Sequence, residues 1–305
     1  MNFIKNIPIP ISGLILSLLS LGNLTQDIHP TLRYIFGTLG VIFLILIILK
    51  VILYPQDIKN DFENPVIVSS SGTFSMSVML LSTYILPVIP NIAYTIWIIG
   101  IGLHIMLMIY FTYRFIIRNF DINTVYPTYW IVYVGITMGA ITSHSHAVEE
   151  IGFIFFTIGF IGMLISTPLI FYRYIKHNDI PDMNKPLICI FTALFSILIV
   201  GYINSAQNIN TTFLMALYSL SCIFYVFALY KLIKNINIDF YPSFSAFTFP
   251  FVISALATKG ILTTFGRTGL LGNILTIETA IAIVIVIYVL IKYLKFLKNN
   301  EKSRN

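Results

Sequence analysis

The sequence predicts an all-α integral membrane protein: ten transmembrane helices forming five hairpins around a central pore, odd helices in an inner ring and even helices in an outer ring. Three observations carry this. The 305 residues are 57% apolar, 15% aromatic and only 10% charged, against roughly 25% charged in an average soluble domain. Several windows, clearest in 32–54 and 274–297, run with hardly a charge for the roughly 20 residues a helix needs to cross about 30 Å of hydrocarbon. One unit also recurs five times: a proline-opened, hydroxyl-rich apolar stretch, a short turn, then a longer and greasier stretch ending in Lys or Arg. The openers are Pro8, Pro65, Pro127, Pro186 and Pro242, at intervals of 57, 62, 59 and 56 residues, and a near-constant period marks a repeated supersecondary unit. Lipid offers no partner to backbone polar groups, so spanning segments are helices or closed barrels, and these runs lack the short alternation of barrel strands.

The first hairpin covers 8–54. Its opening helix, 8–24, has the outline of a secretory signal behind Lys5, but no small-x-small cleavage site follows and it fits the repeat. The partner helix, 32–54, carries a single Ser or Thr, Thr38. The second hairpin, 65–117, opens on a helix at 65–86 with Ser69, Ser70, Ser71, Thr73, Ser75, Ser77, Ser82 and Thr83, followed by the greasier 92–117. Ser70, Thr73 and Ser77 fall at i, i+3 and i+7, one helical face. The third hairpin, 127–176, pairs 127–144 with 151–176, where Pro168 is expected to interrupt the helix. The fourth, 187–234, pairs 187–204 with 212–234, and the fifth, 242–297, pairs 242–259 with 274–297. Most openers suit a helix's first turn, where a proline's missing N–H would be unpaired anyway. Pro250 lies some eight residues inside its segment, where a proline frees a carbonyl and kinks the helix. No stretch is long enough for a separate soluble domain, so 1–305 reads as a single transmembrane domain.

The net charge of +6 would suggest nucleic acid for a soluble protein, but the positions of the charges say otherwise. Of the 18 Lys and Arg residues, all but Arg33, Lys259 and Arg267 flank one set of helix ends. That positive-inside asymmetry predicts a multi-pass protein of the plasma or inner membrane with both termini cytoplasmic, and so an even helix count. The partners implied are the lipid bilayer and small anions, with no nucleic acid. Cys189 and Cys222 sit alone in apolar stretches, with neither disulfide nor metal spacing. His144 and His146, beside Glu149 and Glu150, are two apart and share no helical face, so a polar turn explains them better than a metal. No cofactor is called for, and paired carboxylates or a nucleophile with its base are missing, so an enzyme is not expected.

The odd segments contain no Asp or Glu, and their one base is Lys259, at the end of its helix. A carrier that grips a dianion at mid-membrane would be expected to supply Arg, Lys or half-helix N-termini there. A neutral, hydroxyl-lined path selects by width, dipoles and loss of hydration, which favours weakly hydrated anions and lets them leave again. The hydroxyls expected to line such a path are Ser17, Ser70, Thr73, Ser77, Thr137, Thr192, Ser245 and Thr248. The alternative is that they bond their own i−4 carbonyls or join neighbouring helices. Lys259 and Arg267, with Arg33, fall near the outer mouth, where positive potential attracts anions. His104 lies on an outer-type helix and reads as a packing residue, and Glu278 as an N-terminal dipole partner or interfacial residue.

The stretch Ala246-Phe247-Thr248-Phe249-Pro250, followed by Ser254-Ala255-Leu256-Ala257-Thr258, resembles helix nine of the tellurite-resistance/dicarboxylate transporter family. That family includes bacterial TehA-type proteins, fungal malate permeases and sulfite pumps, and plant guard-cell slow anion channels. The resemblance extends to Pro8-Ile9-Pro10 with Gly13, to Asn64-Pro65, Tyr126-Pro127 and Thr167-Pro168, and so over nearly the whole chain. It implies a homotrimer of independent pores, each with five inner helices around an anion path closed by one phenylalanine. By position that residue is Phe249, with Pro250 kinking the helix beside it and Gly13 packing near it. The chain departs from the family at Phe244, where Trp is common, and at Ser17, where Gly is common. The function implied is passive conduction of small anions through a neutral pore occluded by Phe249. The alternative is a secondary transporter, for proton-coupled C4-dicarboxylate or malate uptake or for sulfite or tellurite efflux.

Overall fold

The computed structural model describes residues 2–177, 179–266 and 269–302, and all regular structure among them is helical. The main helices are α1 (Ile11–Thr25), α2 (Pro30–Leu53), α3 (Pro65–Ser70), α4 (Gly72–Ile85), α5 (Pro90–Phe111), α6 (Thr128–Tyr133), α7 (Thr137–Ser143), α8 (Glu149–Lys176), α9 (Phe191–Ser205), α10 (Thr211–Asn235), α11 (Phe249–Phe265) and α12 (Gly269–Lys302). Tight 3-10 stretches, Asp182–Ile190 and Pro242–Phe247, lead into α9 and α11. Among the described residues, eight helical stretches are long and apolar enough to cross a membrane. The first expected span is shorter, at 15 residues in α1, and the fifth is divided into α6 and α7.

The proline-led segments are the buried ones. In the most apolar window of 65–85, 182–205 and 242–265, 67%, 89% and 78% of residues are buried, against 39% in α2 and 28% to 33% in the remaining four. The greasier stretches put Ile109, Ile165, Val226 and Val284 on the outside, where aliphatic side chains are stable only against lipid or another apolar surface. Within each repeat the two members pack as a hairpin, and α1, α4, α7, α9 and α11 each touch the next, with α11 returning to α1.

Four of the five proline-led segments change helical geometry along their length, for local reasons. Asn64 caps α3 by accepting from the Val66 and Ile67 amides at 2.9 and 3.4 Å. The break at Ser71 then separates α3 from α4. Between α6 and α7 the chain needs glycine at 135, where a Cβ would lie 2.2 Å from the Ile131 carbonyl oxygen and 2.9 Å from the His104 ring. In the last repeat the 3-10 stretch runs to Phe247, and Pro250 occupies the first turn of α11. The expected kink at Pro250 is therefore a helix start: with the chain already out of α geometry at Thr248, the missing N–H falls where no i−4 bond is made. Pro168 likewise does not interrupt its segment, since α8 runs unbroken from Glu149 to Lys176, as membrane helices tolerate when neighbouring groups satisfy the freed backbone.

Candidate functional site

A cavity of about 440 Å³ opens among the connections at the basic end of the bundle and runs into its centre. All five proline-led segments line it. Among the described residues, Lys50 alone contributes from the five greasier stretches.

The mouth is polar. Asn6, Asn64 and Asn184 border it together with an ion pair, in which the buried Lys50 ammonium donates to the Ile7 carbonyl at 2.6 Å and lies 3.4 Å from Asp61. This pair was not legible from the sequence. Lys50 stood out only as one of many basic residues at helix ends, and its acceptors come from separate connections.

Hydroxyls border the middle. Ser70 donates to the Val66 carbonyl at 2.7 Å, while the hydroxyl oxygens of Thr73 and Ser12 sit 2.7 Å apart. Each of those two is also within bonding distance of a carbonyl of its own turn, Thr73 of Ser70 at 2.8 Å and Ser12 of Ile9 at 2.9 Å. Each of these hydroxyls thus has a backbone carbonyl or the neighbouring hydroxyl to donate to, the behaviour typical of Ser and Thr in helices, and it must rotate before it can donate to an anion.

The far end is apolar. The lining residues furthest along each segment are Gly13, Met76, Gly135, Ile197 and Pro250, with Val134 and Phe249 beside them. Phe249 differs from the other phenylalanines of its run. Phe244, Phe247 and Phe251 are fully buried and paired with other rings, as in Phe244–Phe247 at 5.0 Å and Tyr225–Phe251 at 5.5 Å. Phe249 borders the cavity, and among the described residues its ring has no aromatic partner.

Ser70, Thr73 and Ser245 border this cavity along with Gly13 and Pro250, whereas Ser17, Ser77, Thr137, Thr192 and Thr248 do not. Gly13 faces Ser245, whose Cβ would stand 3.0 Å from an added Cβ. Ser17 lies 2.6 Å from both the Gly13 carbonyl and the Thr248 hydroxyl. Ser77 donates to the Thr73 carbonyl, and Thr192 pairs with Ser254 at 2.9 Å. Thr137 is wedged between α8 and α9: a Cβ at Gly159 would fall 2.1 Å from its Oγ1, and one at Gly201 would fall 2.3 Å from its Cγ2. Ser12, which sequence reasoning passed over, is found by its contact with Thr73.

At the opposite end Lys259 is paired with Asp27 at 2.6 Å, so its charge is neutralised locally. Arg33 bonds Gln26 and the Thr83 carbonyl and stacks over Tyr84. Arg267 lies outside the described residues. His104 is fully buried between Ser75, at 2.7 Å from Nδ1, and the Val132 carbonyl, at 3.1 Å from Nε2, a packing role that joins α5 to α4 and α6. His144 bonds Glu149 and His146 bonds Ser82, and no metal-binding group of three His, Cys, Asp or Glu occurs among the described residues. Glu278 lies nine residues along α12, past its first turns, and is buried, at 6% exposed.

Residues 6–294 match the family described as SLAC1, voltage-dependent anion channel. The chain is also similar to an uncharacterized transporter of Methanocaldococcus jannaschii, 25% identical over 265 residues that cover 79% of this chain and 78% of that one. With the family match spanning nearly the whole chain, and with buried proline-led helices converging on one cavity, the protein is a multi-pass membrane protein that belongs to the SLAC1, voltage-dependent anion channel, family.

Proposed function

We propose that this protein conducts small anions passively, with Phe249 as the gate. The observation that carries the reading is the position of Phe249 at the closed end of a cavity bordered by all five proline-led segments. Two further features support it. Among the described residues the cavity has no fixed charge beyond the Lys50–Asp61 pair at its mouth, so an anion in its interior meets no unpaired cation. Four helices begin beside it: Gly13, Thr73, Ala193 and Pro250 are first-turn residues of α1, α4, α9 and α11 and all line the cavity. The positive ends of helix dipoles favour an anion by fractions of a charge, enough to attract and too little to trap.

An aromatic ring blocks such a path by size, and moving it off its rotamer costs about 0.5–1.5 kcal/mol, so a small conformational bias would open it. On this reading the cavity mouth faces the cytosol with both termini, and three copies assemble as independent pores in the plasma or inner membrane. The test is ion-replacement current recording on purified protein in bilayers, wild type beside Phe249→Ala. Conductance should rise strongly in the variant, and wild-type conductance would overturn the gate.

A proton-coupled carrier of a C4-dicarboxylate, sulfite or a related oxyanion is the second reading, favoured by one observation, the buried carboxyl of Glu278. Reconstituted vesicles separate the two. Saturable uptake that requires a proton gradient supports the carrier, and current that follows the anion's electrochemical gradient supports the channel.

A further inference from the structure

Glu278 is the one buried acid among the described residues. It lies nine residues, about two and a half turns, into α12, inside one of the eight membrane-length stretches. One carboxyl oxygen, Oε2, is buried with no hydrogen-bond partner. The Thr258 side chain of α11 stands beside the carboxyl, and its hydroxyl is 3.2 Å from that of Tyr218 on α10. Cys222 and Tyr225 of α10 complete the neighbourhood, and the Tyr225 hydroxyl is likewise buried without a partner.

Among the described residues no cation is paired with the carboxyl. From α10 the titratable groups that face it are Tyr218, Cys222 and Tyr225, while Lys231 and Lys234 lie further along that helix toward its other end. On α11 the single charged side chain is Lys259, which is engaged by Asp27. Helix α1 and the 3-10 stretch Pro242–Phe247 carry no titratable side chain. The short helix Asn2–Lys5, which also meets α12, has Lys5, paired with Asp57 at the basic end. An ionised carboxylate buried without a counter-charge is disfavoured so strongly that the group takes up a proton instead, and ionisable residues inside membrane spans commonly serve transport.

We propose that Glu278 is an intramembrane proton-binding site linked through Thr258 to α11. In the closed structure the carboxyl holds a proton. Its loss leaves a carboxylate that the present packing of α10, α11 and α12 does not solvate, so deprotonation favours a different seating of α11. That helix carries Thr258 nine residues beyond Phe249. Proton occupancy and the seating of α11 are then coupled reciprocally, as linkage requires.

The test is infrared difference spectroscopy across a pH titration of the purified full-length protein. Wild type should show a protonated-carboxyl carbonyl band that titrates, and Glu278→Gln should lack it. The same band in both proteins overturns the site. Should Glu278→Gln fail to fold, Thr258→Val decides: a displaced band supports the contact, and an unmoved one overturns it. The link is read as anion flux into proteoliposomes over the same pH series, which should change several-fold in wild type and stay flat in Glu278→Gln. A wild-type profile in Glu278→Gln overturns the link. The infrared measurement needs no transport, so absence of anion flux in both proteins would count against the proposed conduction while the band still decides the proton site.

Discussion

The hydroxyl oxygens of Ser17 and Thr248 lie 2.6 Å apart across the contact between α1 and α11, and Thr248 in turn donates to the Ser245 carbonyl at 2.6 Å. The next residue in the chain is Phe249. The bond therefore fixes the turn from which the ring enters the cavity, at the junction where 3-10 geometry gives way to α-helix. It lies behind the cavity wall, so its effect on the Phe249 ring comes through position.

Breaking this bond should loosen the ring. Ser17→Ala and Thr248→Val are each expected to raise basal anion conductance several-fold. In a double-mutant cycle the pair should show a coupling of about 0.5–1.5 kcal/mol, the usual net worth of such a bond. Patch or bilayer recording of the two single variants and the double variant measures it. Wild-type conductance in all three would reduce the pair to packing.

Neighbouring phenylalanines should behave differently from Phe249. Phe247→Ala and Phe251→Ala remove fully buried rings, so each should cost about 3–5 kcal/mol of stability and lower the thermal midpoint without increasing current. If Phe247→Ala conducted like Phe249→Ala, the assignment of the gate to a single ring would fail.

Gly135 sits where an added methyl meets the Ile131 carbonyl at 2.2 Å and the Met76 sulfur at 2.9 Å. Backbone on one side cannot give way, so Gly135→Ala should destabilise the protein by about 1–3 kcal/mol. Because Gly135 and Met76 both border the cavity, conductance should fall as well. Thermal unfolding beside current recording checks both, and an unchanged melting curve would contradict the packing described.

At the opposite end, Asp27→Asn should release Lys259 from its ion pair. An exposed pair is worth about 1 kcal/mol at most, so the melting curve should hardly move. The freed ammonium should raise anion current at low salt, and the gain should fade near physiological ionic strength, where the Debye length is about 8 Å. A gain that persists in high salt would mean that Lys259 acts by contact with the permeating ion.

The sequence by itself determined the solvent and the division of labour among helices. Composition decides whether a stretch is stable against lipid, so the contrast between the hydroxyl-rich 65–85 and the greasy 30–53 already separated buried from exposed helices, and the prolines counted the repeats. What only the tertiary structure decided is which way each side chain points. Ser70, Thr73 and Ser77 share a face on an ideal helix, yet the cavity that Ser70 and Thr73 border reaches no further along this segment than Met76, and Ser77 spends its hydroxyl on the Thr73 carbonyl. Phe247 and Phe249 are alike in composition, but the 3-10 to α transition between them sends one into the core and the other into the path. Lys259 and Glu278 looked alike as charges near helix ends. Lys259 found Asp27, whereas Glu278 has no ion-pair partner among the described residues, because partners distant in sequence are chosen by packing.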